Sequence, residues 1–305
     1  MATDGFNPVL AKLPPPQRKK AGKVRLRESA RRSEKATQIL LVSVLSIGAL
    51  GTLVPFVWMV ATSFSRNANS AMPRIPSLVP IEPSLFNYEV AITNMPVLLY
   101  YFNSVVVVGA STIGYLFFSA LTGYAFAKGN FPGRGVLFIA FLGTLLIPFE
   151  TRMIPLYLLM RDIHLNDTLA ALVIPFLVGG FGTFLMRQNI STIPDDLVDA
   201  ARLDGASEFA IFRRIILPLC KAPLAALAIV NILWRWNDVL WPLLVTTDRA
   251  NYTITLGLAL SGRAQGINVG VALATATLAI FPVVIMYLVL QKHIIRGVTM
   301  SGLKG

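Results

Sequence analysis

Arg235 and Asp238 stand three residues apart in the run Trp234-Arg235-Trp236-Asn237-Asp238-Val239-Leu240-Trp241-Pro242, within an otherwise apolar segment. Residues at that spacing share a helical face, so guanidinium and carboxylate can meet. An ionised side chain near the middle of a bilayer costs on the order of 3 kcal/mol on insertion scales, and such groups therefore turn toward protein or water. Two readings follow. In one, the pair steadies the helix internally while Trp234, Trp236 and Trp241 form an interfacial aromatic belt. In the other, this face lines a solute path, with rings against sugar faces and Asn237 and the charged groups hydrogen-bonding hydroxyls. Glu150 is a further candidate. It lies between Pro148 and Pro155, and two prolines can produce irregular backbone, which membrane depth tolerates only where it lines a cavity or is covered by protein. A plain outer helix end with a solvated Glu150 is the other reading.

None of this is catalytic chemistry. The chain has no G-x-x-x-x-G-K-[ST] run to cradle ATP, no H-E-x-x-H and no G-x-S-x-G. His164 and His293 are far apart, and Cys220 is the single cysteine, which leaves no intrachain disulfide, no thiolate cluster and too few ligands for a metal site. No catalytic residue and no bound cofactor are expected on this chain.

A polar interruption between two apolar segments carries the densest charge outside the N-terminal tail. It runs from Ser191 through Pro194-Asp195-Asp196-Leu197-Val198-Asp199-Ala200-Ala201-Arg202-Leu203-Asp204-Gly205-Ala206-Ser207 to Pro218. Pro194 suits the start of a helix, and Asp195, Asp196 and Asp199 complement the positive end of the helix dipole. A helix is predicted over about 194–203. Gly205 then lets the backbone turn, Ser207 caps a second helix, and Phe209, Phe212, Ile215 and Ile216 recur at helical spacing. Pro218 stops that helix or opens the next segment. Such an element suits a partner's groove, or else rests on lipid headgroups.

The spacing of Asp199-Ala200-Ala201, then Gly205, then nine residues, then Ile215, Leu217 and Pro218 resembles the EAA loop of bacterial ABC importer permeases, with Asp in place of Glu. The wording DAARLDGASEFAIFRRIILPL is similar to the carbohydrate-uptake branch that includes the maltose permease subunits. The resemblance implies an all-α polytopic membrane protein of the type I importer permease architecture, with six spans. It implies that Asp199, Ala200, Ala201, Gly205, Ile215, Leu217 and Pro218 form a coupling helix docked on a cytoplasmic ATPase subunit. It further implies a second homologous permease chain, two ATPase subunits carrying ATP and Mg, an extracytoplasmic solute-binding protein and a carbohydrate-type solute. WRWNDVLWPLLV is similar to that family's W-N-x-F-x-W-P-L pattern. Arg235 departs from the small residue expected there, which leaves an anionic solute open. The run 147–157 resembles the outer end of the family's third span. Residues 296–305 resemble its C-terminal ending, which in some members reaches the ATPase interface.

The elements that must position these residues are read from hydropathy. Hydrophobic residues make up 55 % of 305 and charged residues 14 %, the composition of a polytopic membrane protein. Spans are predicted at about 38–63, 103–127, 136–158, 168–186, 223–246 and 269–291, with a coupling loop at 187–221, all within a permease domain of 36–305. Residues 66–101 read as a polar outside connection. Of 27 Lys and Arg, ten lie in residues 1–35, a basic tail to which composition assigns no fold; it faces anionic lipid and calls for no nucleic acid. With both termini, the basic turn from Lys128 to Arg134 and the 187–221 loop inward, 20 Lys and Arg lie inside against six outside. Both termini are therefore expected in the cytoplasm of a bacterial plasma membrane. The alternative is a secondary transporter, which predicts inverted repeats and ion-coordinating broken helices.

Overall fold

The computed structural model describes the backbone of residues 18–66, 68, 77–264 and 269–302, and the side chains of 35, 37–66, 68, 77–260 and 269–288. Every regular element among them is helical, apart from an isolated bridge between Ser65 and Pro83. The chain divides into residues 1–58 and 59–305.

The first unit is helix α1, Arg18–Ser63, which ends in the second. Its apolar part, Thr37–Ser63, is long enough to cross a bilayer and agrees with the predicted first span. The helix begins well inside the segment given no fold from composition. Lys, Arg and Glu are good helix formers that extend a helix once an apolar neighbour has nucleated it.

In the second unit a helix, α2 (Phe86–Asn94), occupies part of the connection read as polar and outside. The predicted second span is longer than expected: α3 runs from Val97 to Lys128. It is the spine of the unit and packs along α7 (Gly180–Ile190) and α11 (Lys221–Trp236). The reason is a row of small residues. Ser111, Ser119 and Ala120 are fully buried, and a Cβ on Gly123 would lie 2.9 Å from the backbone nitrogen of Arg187. Small residues let helix backbones approach where lipid supplies no hydrophobic drive to associate.

The third, fourth and fifth predicted spans are broken, whereas the sixth lies within one continuous helix. The pair α4 (Arg134–Gly143, continued as a 3₁₀ turn to Leu146) and α5 (Phe149–Asp162) bends by 103°. The break falls at Pro148, as its missing N–H and restricted neighbour require, whereas Pro155 sits inside a continuous α5. The fourth span is α6 (Leu169–Val173, continued to Phe176) and α7, bent by 43°. The fifth span, predicted to reach residue 246, stops at Trp236. A separate helix, α12 (Leu240–Val245), follows the charged motif. Helices α13 (Ile254–Ala264) and α14 (Val269–Gly302) complete the unit. Three helices can each cross a membrane, or up to six if each bent pair is one span. The C-terminal resemblance at 296–305 lies outside the described side chains.

Candidate functional site

The polar interruption folds as its local sequence dictates. Helix α8 spans Asp195–Leu203, with Pro194 immediately before it and Asp195 and Asp196 in its first turn. Gly205 has φ +80°, a conformation that side chains with a Cβ rarely adopt. Its N–H donates to the Arg202 carbonyl at 3.0 Å, while the Ala206 N–H donates to Ala201 at 3.0 Å, closing the end of α8. Ser207 Oγ accepts the Ala210 N–H at 3.3 Å and caps α9 (Glu208–Ile211). The helix continues through a π-turn, Phe212–Ile216, and a last turn, α10 (Leu217–Leu219), that contains Pro218.

One face of this element is used within the chain. Val198, Ile211, Phe212 and Ile216 are buried with Tyr115, Tyr124, Met186 and Ile190, and Ala201, Ile215 and Leu217 pack against the same cluster. The predicted coupling residues therefore divide. Ala201, Ile215 and Leu217 face the bundle, Gly205 forms the turn, and Asp199, Ala200 and Pro218 are exposed.

Two polar clamps hold α8 and α9 to the end of α3. At one end Lys128, whose side chain is 5 % exposed, pairs with the Asp195 carboxylate and donates to the Ile193 carbonyl at 2.5 Å. At the other, Glu208 accepts from the Tyr124 hydroxyl at 2.6 Å and from Arg202 Nε at 2.8 Å, while Arg202 also bridges to Asp199 at 3.0 Å. Lys128, Tyr124, Arg202 and Glu208 were not among the residues singled out from sequence. Lys128 was visible there only as one end of a basic turn.

The clamp carries a pH sign. The hydrogen bond from Arg202, followed by that from Tyr124, holds the Glu208 carboxyl below the usual range, against a smaller upward push from burial. A depressed carboxylate contributes fully above its unfolded pKa and loses that contribution as pH falls through the lowered one. Glu208→Gln at neutral pH is expected to speed amide hydrogen exchange across 195–211 by about two- to fivefold, the worth of a partly exposed charged pair. Acidification should lower the protection of the same amides in the wild type once exchange is referred to its slower intrinsic rate at low pH, and mass spectrometry reads both. Unchanged exchange in both cases would remove the clamp.

The second group lies around the broken spans. Arg235 and Asp238 do meet, at 3.0 Å, with both side chains mostly covered. The Arg235 guanidinium also stacks on Phe176, 3.7 Å from the ring centroid. Asp238 further accepts the Trp241 N–H at 3.3 Å, and Thr255 Oγ1 donates to the Trp236 and Asp238 carbonyls at 3.1 and 3.3 Å. These bonds occupy backbone that the break would leave unpaired. A cavity of about 810 Å³ opens beside the pair, lined by Tyr115, Phe176, Asn231, Trp234 and Arg235 among others.

The structure sorts the other sequence candidates. Trp234 is 57 % exposed and lines the cavity. Trp241 is fully buried, donating its indole N–H to the Ala171 carbonyl at 2.9 Å. Asn237 is exposed and turns back to the Leu233 carbonyl at 2.8 Å, and Glu150 is exposed in the first turn of α5; neither Asn237, Asp238, Trp241 nor Glu150 lines the cavity. Its lining also includes Arg152, which the sequence does not single out. No cluster of three His, Cys, Asp or Glu able to hold a metal occurs among the described residues.

Comparison with known proteins adds a scale to this geometry. Residues 119–300 match the family described as binding-protein-dependent transport system inner membrane component. The chain is 38 % identical over 206 residues to the arabinooligosaccharides transport system permease protein AraQ of Bacillus subtilis (strain 168), covering 68 % of this chain and 73 % of that one. It is 32 % identical to the sn-glycerol-3-phosphate transport system permease protein UgpE of Brucella abortus (strain 2308), covering 83 % and 93 %. Among solved structures it resembles a chain of a bacterial ABC transporter involved in the import of the acidic polysaccharide alginate. There the TM-score is 0.74 and the identity 26 %, with 86 % of this chain and 97 % of that one covered.

Proposed function

This chain belongs to the family of binding-protein-dependent transport inner membrane components and is a permease subunit of a sugar-type ABC importer, and from that premise we propose how it is driven and what it passes. It has the polytopic α-helical fold of type I importer permeases. The broken spans that a secondary transporter also predicts are present, but the family is that of ABC importers.

In the proposed assembly the chain pairs with a second, homologous permease subunit. Two cytoplasmic ATPase subunits hold ATP and Mg and hydrolyse it, so that this chain has no enzymatic role. An extracytoplasmic binding protein delivers a carbohydrate or related solute. Relatives named for arabinooligosaccharides, sn-glycerol 3-phosphate and alginate support that breadth. Both termini and α8 face the cytoplasm, as the distribution of Lys and Arg supports. Asp199, Ala200, Ala201, Gly205, Ile215, Leu217 and Pro218 belong to the coupling element. Its movement reaches α3 through the Lys128 and Glu208 clamps, and α3 passes it to α7 and α11. The solute path runs past the broken spans. Trp234 and Arg235 line it, Asp238 holds Arg235, and Asn237, Trp241 and Glu150 act from behind or beside it.

The observation that carries the coupling role is an apolar side chain in the wrong place for a free surface. Asp196, Ala200 and Leu203 recur at i, i+4 and i+7 on the face of α8 opposite buried Val198, and Leu203 is 89 % exposed. A helix bolted to its bundle on one side and presenting Ala200 and Leu203 on the other fits a groove in a partner. Leu203→Asp should therefore leave the fold unchanged and lower recovery of the ATPase on an affinity-tagged permease by tenfold or more, with a parallel loss of ATP-driven solute uptake in proteoliposomes. ATPase recovery and uptake at wild-type levels would argue against docking through this face.

A further inference from the structure

The charge inside the 810 Å³ cavity is one-sided. Its lining contains two guanidinium groups, Arg152 and Arg235, and no carboxylate. Asp238, the partner of Arg235, stands outside that lining. Both guanidiniums lie on a single aromatic pair. Arg235 is 3.7 Å from the Phe176 centroid and Arg152 is 5.9 Å from that of Phe149, and the two rings are themselves 5.4 Å apart. Stacking fixes the plane of a guanidinium and leaves its N–H edge free to bind an oxyanion in bidentate fashion. Arg235 spends part of that edge on Asp238, whereas Arg152 has no carboxylate partner among the described residues.

The uncharged lining fits a polyhydroxylated ligand. Asn231 is 5 % exposed and lines the cavity, where its amide can meet a ligand. Trp234 presents a ring with 57 % of its surface uncovered. An amide to meet hydroxyls, an aromatic face for a sugar ring and two fixed cations compose a recognisable set. Arg152 is exposed, and a neutral sugar would leave its charge without a counter-charge in the cavity lining.

We propose that this cavity is a solute-binding site selective for carbohydrates bearing a carboxylate or phosphate, with Arg152 as the residue that reads the negative charge. The proposal rests on the importer reading and narrows its solute. Arg235, held by Asp238 and Phe176, orients the ligand, and Trp234 and Asn231 contact its ring and hydroxyls.

The test uses the permease complex with its partner chains in nanodiscs of zwitterionic lipid, which removes competing lipid anions. Quenching of tryptophan fluorescence is followed on adding digalacturonate or sn-glycerol 3-phosphate, with maltose as the neutral probe. The expected result is saturable quenching by the anions, lost in Trp234→Phe, weakened at least tenfold in Arg152→Gln, and much weaker for maltose. Equal response to maltose, an unchanged affinity in Arg152→Gln, or silence toward both anions overturns the proposal. So does quenching by added phosphatidylglycerol with none by the sugars, which would make this a lipid site. The importer reading is scored separately by recovery of the ATPase with the permease, which Arg152→Gln should leave at the wild-type level.

Discussion

Gly205→Pro is expected to reduce ATP-driven uptake by more than tenfold while the protein still inserts in the membrane. The residue has φ +80°, and the proline ring is confined near −65°, so no local adjustment accommodates the change. The substitution also deletes the N–H that closes α8 on the Arg202 carbonyl at 3.0 Å. Together these cost about 3 kcal/mol or more, beyond what the exposed turn can absorb. The effect on the clamp is direct. Asp199 and Arg202 lie before the turn and Glu208 after it, so a changed turn separates Arg202 from Glu208 and hence α8 from Tyr124. The apolar contacts of Ile211, Phe212 and Ile216 should keep α9 in place, and α8 alone should swing. Gly205→Asn is the control, because Asn tolerates the left-handed region better than other residues with a Cβ, and it should retain most activity. Equal, near-wild-type uptake for both variants would show that the angle between the two helices does not matter.

The two halves of the site differ in how far the sequence discloses them, and the difference is one of range. The turn at Gly205, the cap at Ser207 and the start after Pro194 are local arrangements, each satisfying backbone groups within four residues, so residue type and spacing specify them. The clamps are invisible to the same reading. Lys128 and Asp195 are 67 positions apart and Tyr124 and Glu208 are 84 apart, and only the packing of α7 on α3 brings them together. The broken spans fall between these cases. Pro148 marks a break because it lacks an N–H, but the 103° angle depends on what α5 packs against. Hydropathy carried the fifth span through to residue 246 because Val239, Leu240 and Trp241 are as apolar as a spanning helix. The helix stops at Trp236, and Asp238, Thr255 and the prolyl N of Pro242 determine the hydrogen bonding around the break. Leu203 reads naturally as one more apolar residue of an amphipathic helix. Its exposure follows from its lying on the side of α8 opposite Val198, so that a helix packed through one face buries Val198 and leaves Leu203 uncovered.

Trp241→Ala should be the most destabilising substitution in the second unit, by about 3 to 5 kcal/mol, the range for removing a fully buried large aromatic. The indole is 0 % exposed and wedged between Phe149 and Phe176, each with its ring centroid 6.0 Å away. It joins three breaks at once: Phe149 begins α5, Phe176 ends the first half of the fourth span, and Trp241 itself opens α12. Phe176 is also the ring on which Arg235 stacks, so loss of the wedge should loosen the cavity wall as well. Trp241→Phe separates packing from hydrogen bonding. It retains most ring contact but leaves the Ala171 carbonyl, now 2.9 Å from the indole nitrogen, without its donor, at about 1 to 3 kcal/mol. The apparent melting temperature of the detergent-solubilised complex, followed by size exclusion after heating, should fall in the order wild type, Trp241→Phe, Trp241→Ala. Solute affinity should change little in Trp241→Phe, because this ring supports the cavity from behind and does not line it. A variant with unchanged melting and an altered KM for uptake would instead place Trp241 in the solute path, as one of the two sequence readings had it.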